Sequence, residues 1–85
     1  MVCDHLCLNS VHDFCEDLKK RLRELRIGID VLCLNAAVLF GEDSEAQYTK
    51  DDIEFTFQTN HLAPFLIANL AYDLINPGGR VVVST

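Results

Sequence analysis

Val31-Leu32-Cys33-Leu34-Asn35-Ala36-Ala37 is an apolar run that closes on an amide and two small side chains. Continuous apolar runs of this length mark strands buried in a parallel sheet. In open α/β sheets, ligands lie beyond the carboxyl ends of such strands, so Asn35 stands where a bound molecule is expected. Ala36 and Ala37 leave the backbone open to a flat ligand, as glycine does in tighter turns. Further along comes Asn60-His61-Leu62-Ala63-Pro64-Phe65, and the reading brings Asn35 and Asn60 to one crevice.

Upstream of the run, Val11, Phe14, Cys15, Leu18, Leu22 and Leu25 recur at spacings of three and four, which predicts one apolar stripe on a helix. Ser10 and Asp13 predict its capping box, and Gly28 its left-handed exit. Early acids and the late bases Lys19, Lys20, Arg21, Arg23 and Arg26 suit the helix dipole, so the basic run reads as a solvated helix end. Downstream, an acidic loop from Gly41 to Gln47 leads to Thr49 and Asp52, a second capping signature. Ile53, Phe57, Leu62, Phe65, Leu66, Asn69 and Leu70 then predict a long helix towards Ile75 with an interruption inside it. Asn76-Pro77-Gly78-Gly79 ends that helix, and Arg80 to Thr85 reads as another buried strand. With a strand end at Met1 to Cys3, the order is strand, helix, strand, helix, strand, an α/β pattern that implies a parallel sheet and right-handed crossovers.

Eighty-five residues allow one domain at most, since domains cluster at ~100–150 residues. With 49% hydrophobic residues the chain has the composition of a folding polypeptide. Its 13 acidic and 7 basic residues give a net charge of −6, which excludes the basic footprint of a nucleic-acid binder. No apolar run approaches the ~20 residues of a transmembrane helix, and the start lacks the features of a secretory signal. Cys3, Cys7, Cys15 and Cys33 fall where a disulfide framework does not fit, so they are expected to be reduced thiols in a cytoplasmic compartment. The spacing of Cys3, His5, Cys7 and His12 matches no zinc finger, and no metal site is expected.

Four segments in order carry a family resemblance: Cys3-Asp4-His5-Leu6, Leu34-Asn35-Ala36-Ala37, Thr59-Asn60-His61-Leu62-Ala63-Pro64-Phe65, and Gly79-Arg80-Val81-Val82-Val83-Ser84-Thr85. Together the chain resembles the short-chain dehydrogenases/reductases, in the branch of retinol dehydrogenases, WW-domain oxidoreductases and protochlorophyllide reductases. The resemblance implies a Rossmann-like doubly wound parallel sheet, of which residues 1–85 form a single incomplete central slice. It implies that Asp4 and the backbone at His5 contact the adenine ring, and that Asn35, Ala36 and Ala37 face the adenosine half of the cofactor. Asn60 takes the place of the family's catalytic asparagine. Thr85 falls on the first of the family's two serines, or on the catalytic hydroxyl itself if the strand is one residue shorter.

The four glycines, Gly28, Gly41, Gly78 and Gly79, form no Gly-x-x-x-Gly-x-Gly loop, the element that grips pyrophosphate. Nor is there a Tyr-x-x-x-Lys pair, because Tyr48 is followed four residues on by Asp52 and Tyr72 by Asn76. The resemblance thus implies hydride transfer between NAD or NADP, with a lean to NADP, and a small alcohol or carbonyl substrate, carried out within a longer parent, the chain alone being inactive. A catalytically inactive short product acting as an interaction or regulatory fragment is the alternative. Residue 64 is proline, so the α-helical donor to the Asn60 carbonyl is missing. In the resembled family that carbonyl, at a helix kink, holds a water of the proton relay. Substrate and oligomeric state stay open.

Overall fold

The computed structural model describes residues 3–36 and 47–84. Helix α1 spans Leu8–Leu25, strand β1 spans Ile29–Leu34, a short α2 covers Phe55–Phe57, α3 covers Ala63–Leu70, and β2 runs Ile75–Val83. Between α2 and α3 lies a π-helical turn, Gln58–Leu62, and a 3₁₀ turn at Tyr72–Leu74 follows α3. β1 and β2 pair in parallel, from Val31 opposite Arg80 to Leu34 opposite Val83, and the Ser84 N–H extends the ladder to the Leu34 carbonyl at 3.0 Å. The result is α/β with a two-stranded parallel sheet, compatible with part of a Rossmann-like fold. The expected strand end at Met1 to Cys3 is not present among the described residues: Cys3 and Asp4 are irregular, while Met1 and Val2 lie outside the description.

Both long helices pack on the same strand. Val11 and Cys15 of α1, Leu34 of β1, and Ala63 and Ile67 of α3 form the core cluster. The predicted stripe of α1 holds at Val11 and Cys15, whereas Leu25 at its end is exposed. β1 departs from the expected two-sided burial. Leu34 is buried and Leu32 half-buried, but the alternating Val31 and Cys33 are exposed, because side chains on a strand alternate faces and the described helices cover one of them. The second helix keeps its predicted stripe only in part, with Leu66 and Leu70 half-buried against the core. Phe57 and Phe65 are exposed, and the inward positions are Thr59, Ala63, Ile67 and Ala71, spaced by four.

Each predicted helix end is set differently from the sequence motif. α1 starts three residues early, with Cys7 rather than Ser10 at the N-cap position and no side-chain cap of its own. Ser10 Oγ instead accepts from the Asp4 N–H at 2.9 Å. The exit is made by Arg26 in the left-handed conformation, φ 55°, rather than by Gly28. Gly28 serves close approach: a Cβ there would fall on the Asn76 side chain and 3.0 Å from the Leu74 carbonyl. At the second helix Glu54, not Thr49 or Asp52, is the cap, accepting from the Phe57 N–H at 2.6 Å. That hydrogen bond holds the Glu54 carboxyl below the usual carboxylate range. The helix ends at Leu70, and Ile75 already pairs with Ile29. Asn76-Pro77-Gly78-Gly79 is therefore a register shift inside β2 rather than a turn before it, pinned where Asn76 Nδ2 donates to Asp30 Oδ1 at 3.0 Å.

Candidate functional site

The carboxyl end of β1 opens into two clefts that share Leu34 as a wall. One, of about 280 Å³, is lined by Cys3, His5, Phe14, Leu32, Asn35 and Ala36 among others. It is predominantly apolar with a few polar groups at its mouth, the usual make-up of a small-molecule site. The other, of about 200 Å³, is lined by Asn60, Pro64, Phe65 and Val83. Asn35 and Asn60 thus reach adjoining clefts rather than one crevice. Asp4 lines neither, and its Oδ1 accepts from the Leu6 N–H at 2.9 Å in a local turn. Ala37 and Thr85 lie outside the described residues.

Asn60 sits inside the π-turn. The Ala63 N–H donates to the Gln58 carbonyl five residues back, while the Gln58 N–H donates to the Glu54 carbonyl at 2.9 Å. Pro64, at the start of α3, brings no N–H to the ladder, and single π-turns of this kind frequently mark functional positions in helices. Asn60 itself is half-buried and engaged with a partner. On the outer side Phe57, His61 and Phe65 form an aromatic row, with ring centroids 5.2 Å and 6.2 Å apart.

A buried polar network ties this turn to the first cleft. Gln58 has no exposed surface. Its Nε2 donates to the His5 carbonyl at 3.0 Å and to Asp51 Oδ2 at 3.2 Å, and its Oε1 accepts from Thr49 Oγ1 at 2.6 Å. Asp51 Oδ2 also accepts from the Leu8 N–H at 2.9 Å, closing the first turn of α1 from 43 positions away in the chain. His5 Nδ1–H donates to the Thr59 carbonyl at 3.3 Å, which requires that tautomer. Beside it, the Lys50 ammonium and the N–H groups of Ser10 and Asn9 lower the Cys7 thiol below its ordinary value. Burial pushes the thiols of Cys3 and Cys15 up.

Thr59 Oγ1 is buried with no hydrogen-bond partner. An unsatisfied buried hydroxyl costs about 1–3 kcal/mol, and valine keeps the β-branched shape without it. Thr59→Val is expected to raise the urea midpoint by about 1 kcal/mol of stability, and Thr59→Ser is expected not to. A lower midpoint in the valine variant would show that the hydroxyl is satisfied in solution.

No protein-family model matches the chain. Among curated proteins it is 38% identical to a chloroplastic protochlorophyllide reductase of Daucus carota, over 94% of the chain. It is 39% identical to a WW domain-containing oxidoreductase of Gallus gallus over its full length. A Chlamydomonas reinhardtii protochlorophyllide reductase matches 78% of the chain at 39% identity. By sequence, the chain is similar over most of its length to members of the short-chain dehydrogenases/reductases. It spans about a fifth of the length of the carrot and chicken relatives. Of the residues that the short-chain dehydrogenase/reductase motifs single out, the structure brings His5, Asn35 and Ala36 together and sets Asn60 across Leu34 from them. Gln58 was missed because a lone glutamine in a helical pattern reads as surface, and its partner His5 lies 53 positions away. No spacing around Gln58 singles it out in the sequence.

Proposed function

We propose that this chain is a portion of a nicotinamide-dependent oxidoreductase that transfers hydride between NAD(P), with NADP favoured, and an alcohol or carbonyl substrate. The observation that carries the reading is the cleft at the end of β1, where His5, Asn35 and Ala36 converge in a chain whose relatives are reductases and oxidoreductases. At about 280 Å³ the cleft is at the lower limit of ligand sites, so the residues present fit one ring system, the adenosine end, rather than a whole dinucleotide. The apolar walls Phe14 and Leu32 stack on or enclose such a ring, and Ala36 and Ala37 allow the main chain to approach it. Asp4 remains a candidate for the adenine amino group after its turn opens. When bound in a complete protein, the nicotinamide supplies or accepts the hydride. Asn60, held in the π-turn at the next cleft, is the residue of this chain that orders the proton-carrying water, and Thr85 takes the place of the family's first serine or of the catalytic hydroxyl.

The test uses mononucleotides, which separate the two ends of the cofactor. An interaction of −4.1 kcal/mol corresponds to a Kd of ~1 mM, so an isotope-labelled chain is titrated to roughly 5 mM and followed by amide resonances. Adenosine monophosphate is expected to move His5, Asn35 and Ala36, nicotinamide mononucleotide to leave them in place, and Asn35→Leu to abolish most of the response. Equal responses to both, or none to either, would remove the assignment.

A further inference from the structure

We infer that Gln58 is a positioning residue that locks the π-turn carrying Asn60 to the His5 backbone, so that the two clefts at the end of β1 respond as one body. The inference rests on the functional reading above for the meaning of the two clefts, and on geometry for the lock itself. Gln58 is the first residue of the π-turn, two positions before Asn60. It is fully buried, and both ends of its amide are engaged: Nε2 with the His5 carbonyl at 3.0 Å and Asp51 Oδ2 at 3.2 Å, Oε1 with Thr49 Oγ1 at 2.6 Å. His5 also lines the first cleft, and its Nδ1–H reaches the carbonyl of Thr59, between Gln58 and Asn60. Two links therefore run from the rim of one cleft to the turn at the other, and one of them needs a primary amide. A carboxylate accepts and cannot donate, and a leucine does neither.

A π-turn is a local departure from α-helical spacing, and a segment of this kind keeps its form only where its surroundings fix it. Pro64 removes a donor but does not choose between a kinked α-helix and a π-turn. Gln58 supplies that choice, because slipping the turn by one residue would carry its side chain about 100° around the helix and off the His5 carbonyl.

The experiment uses the 85-residue chain with adenosine monophosphate as the probe. In the native chain, the probe is expected to move the Asn60 and His61 amides together with His5, Asn35 and Ala36. In Gln58→Leu the Asn35 and Ala36 responses persist while those of Asn60 and His61 fall by about tenfold, and hydrogen exchange at residues 59–63 rises by about tenfold with the β1 amides unchanged. Because leucine at a polar site could unfold the chain, a second variant carries the same question. Gln58→Glu places two carboxylates side by side at Asp51 and is expected to lose the Asn60 response. Adding Asp51→Asn restores a donor to that pair but none to the His5 carbonyl, and is expected to recover the urea midpoint while the Asn60 response stays lost. Responses at Asn60 that survive Gln58→Leu, responses that return in the double variant, or exchange that rises uniformly through β1, would overturn the inference. Absence of any response at Asn35 in the native chain would instead count against the cofactor assignment, and the exchange pattern alone would then judge the lock.

Discussion

Ile67→Ala is expected to leave the chain largely unfolded at room temperature. Ile67 is 4% exposed and joins Val11 and Cys15 of α1 to Leu34 of β1, so its side chain is where the two helices and the sheet meet. Truncating a buried isoleucine to alanine costs about 2–5 kcal/mol, from lost transfer energy and from the cavity left behind. Small domains hold roughly 0.05–0.15 kcal/mol per residue, and the described core of this one rests on a handful of side chains. At the low end of that range, about 4 kcal/mol for a chain of this size, the loss is comparable to the whole. Ile67→Val, costing about 0.5–1.5 kcal/mol, should keep a cooperative urea transition at a lower midpoint. If Ile67→Ala unfolds at the same midpoint as the native chain, the helices are not held by this cluster.

The second large effect is expected at Gly79. A Cβ there would lie 2.6 Å from Ile75 Cγ2, 2.9 Å from the Asn76 carbonyl and 3.0 Å from the Asp30 carbonyl. Side chains can turn away, but two of these neighbours are backbone, and one belongs to the partner strand. Overpacking of this kind costs about 1–3 kcal/mol, occasionally more. Here it also strikes the register shift that lets Ile29 face Ile75 while Val31 faces Arg80. Gly79→Ala should lower stability by about 2–3 kcal/mol and increase exchange at Leu32 to Leu34 before α1 is affected. Native-like exchange along β1 in that variant would show that the shift adapts without cost.

The elements legible in the sequence were those that local pattern determines. The Leu8–Leu25 helix and the Ile29–Leu34 strand follow from spacing of three and four and from an unbroken apolar run. The parallel pairing of β1 with β2 follows from the helical segment between them. The start of α1 was misread because its partner is remote: Asp51 closes it, a task that no motif near Ser10 records, whereas Glu54, a local cap three residues before Phe57, was passed over for the Thr49 and Asp52 signature. The inward face of α3 was misread in part because apolarity outranked size: Phe57 and Phe65 lie on the outer side, while the small Ala63 and Ala71 and the buried Ile67 face in, with Leu66 and Leu70 half-buried beside them. For the site, Asn35 and Ala36 were legible as the end of a strand. Gln58 was not, since burial of a glutamine depends on a carbonyl that only the fold supplies.

The clasp of Asp51 on the Leu8 N–H has a temporal side. A chain made from its amino terminus has α1 in hand long before residues 47–58 exist, so the helix waits with its first turn unsecured and the His5 carbonyl unpaired. Long-range closures of this sort delay folding, since loop entropy must be met before the contacts reward it. During synthesis, the two clefts at the end of β1 consequently take shape together and late, once Asp51 and Gln58 have emerged to draw His5 and Leu8 onto the π-turn.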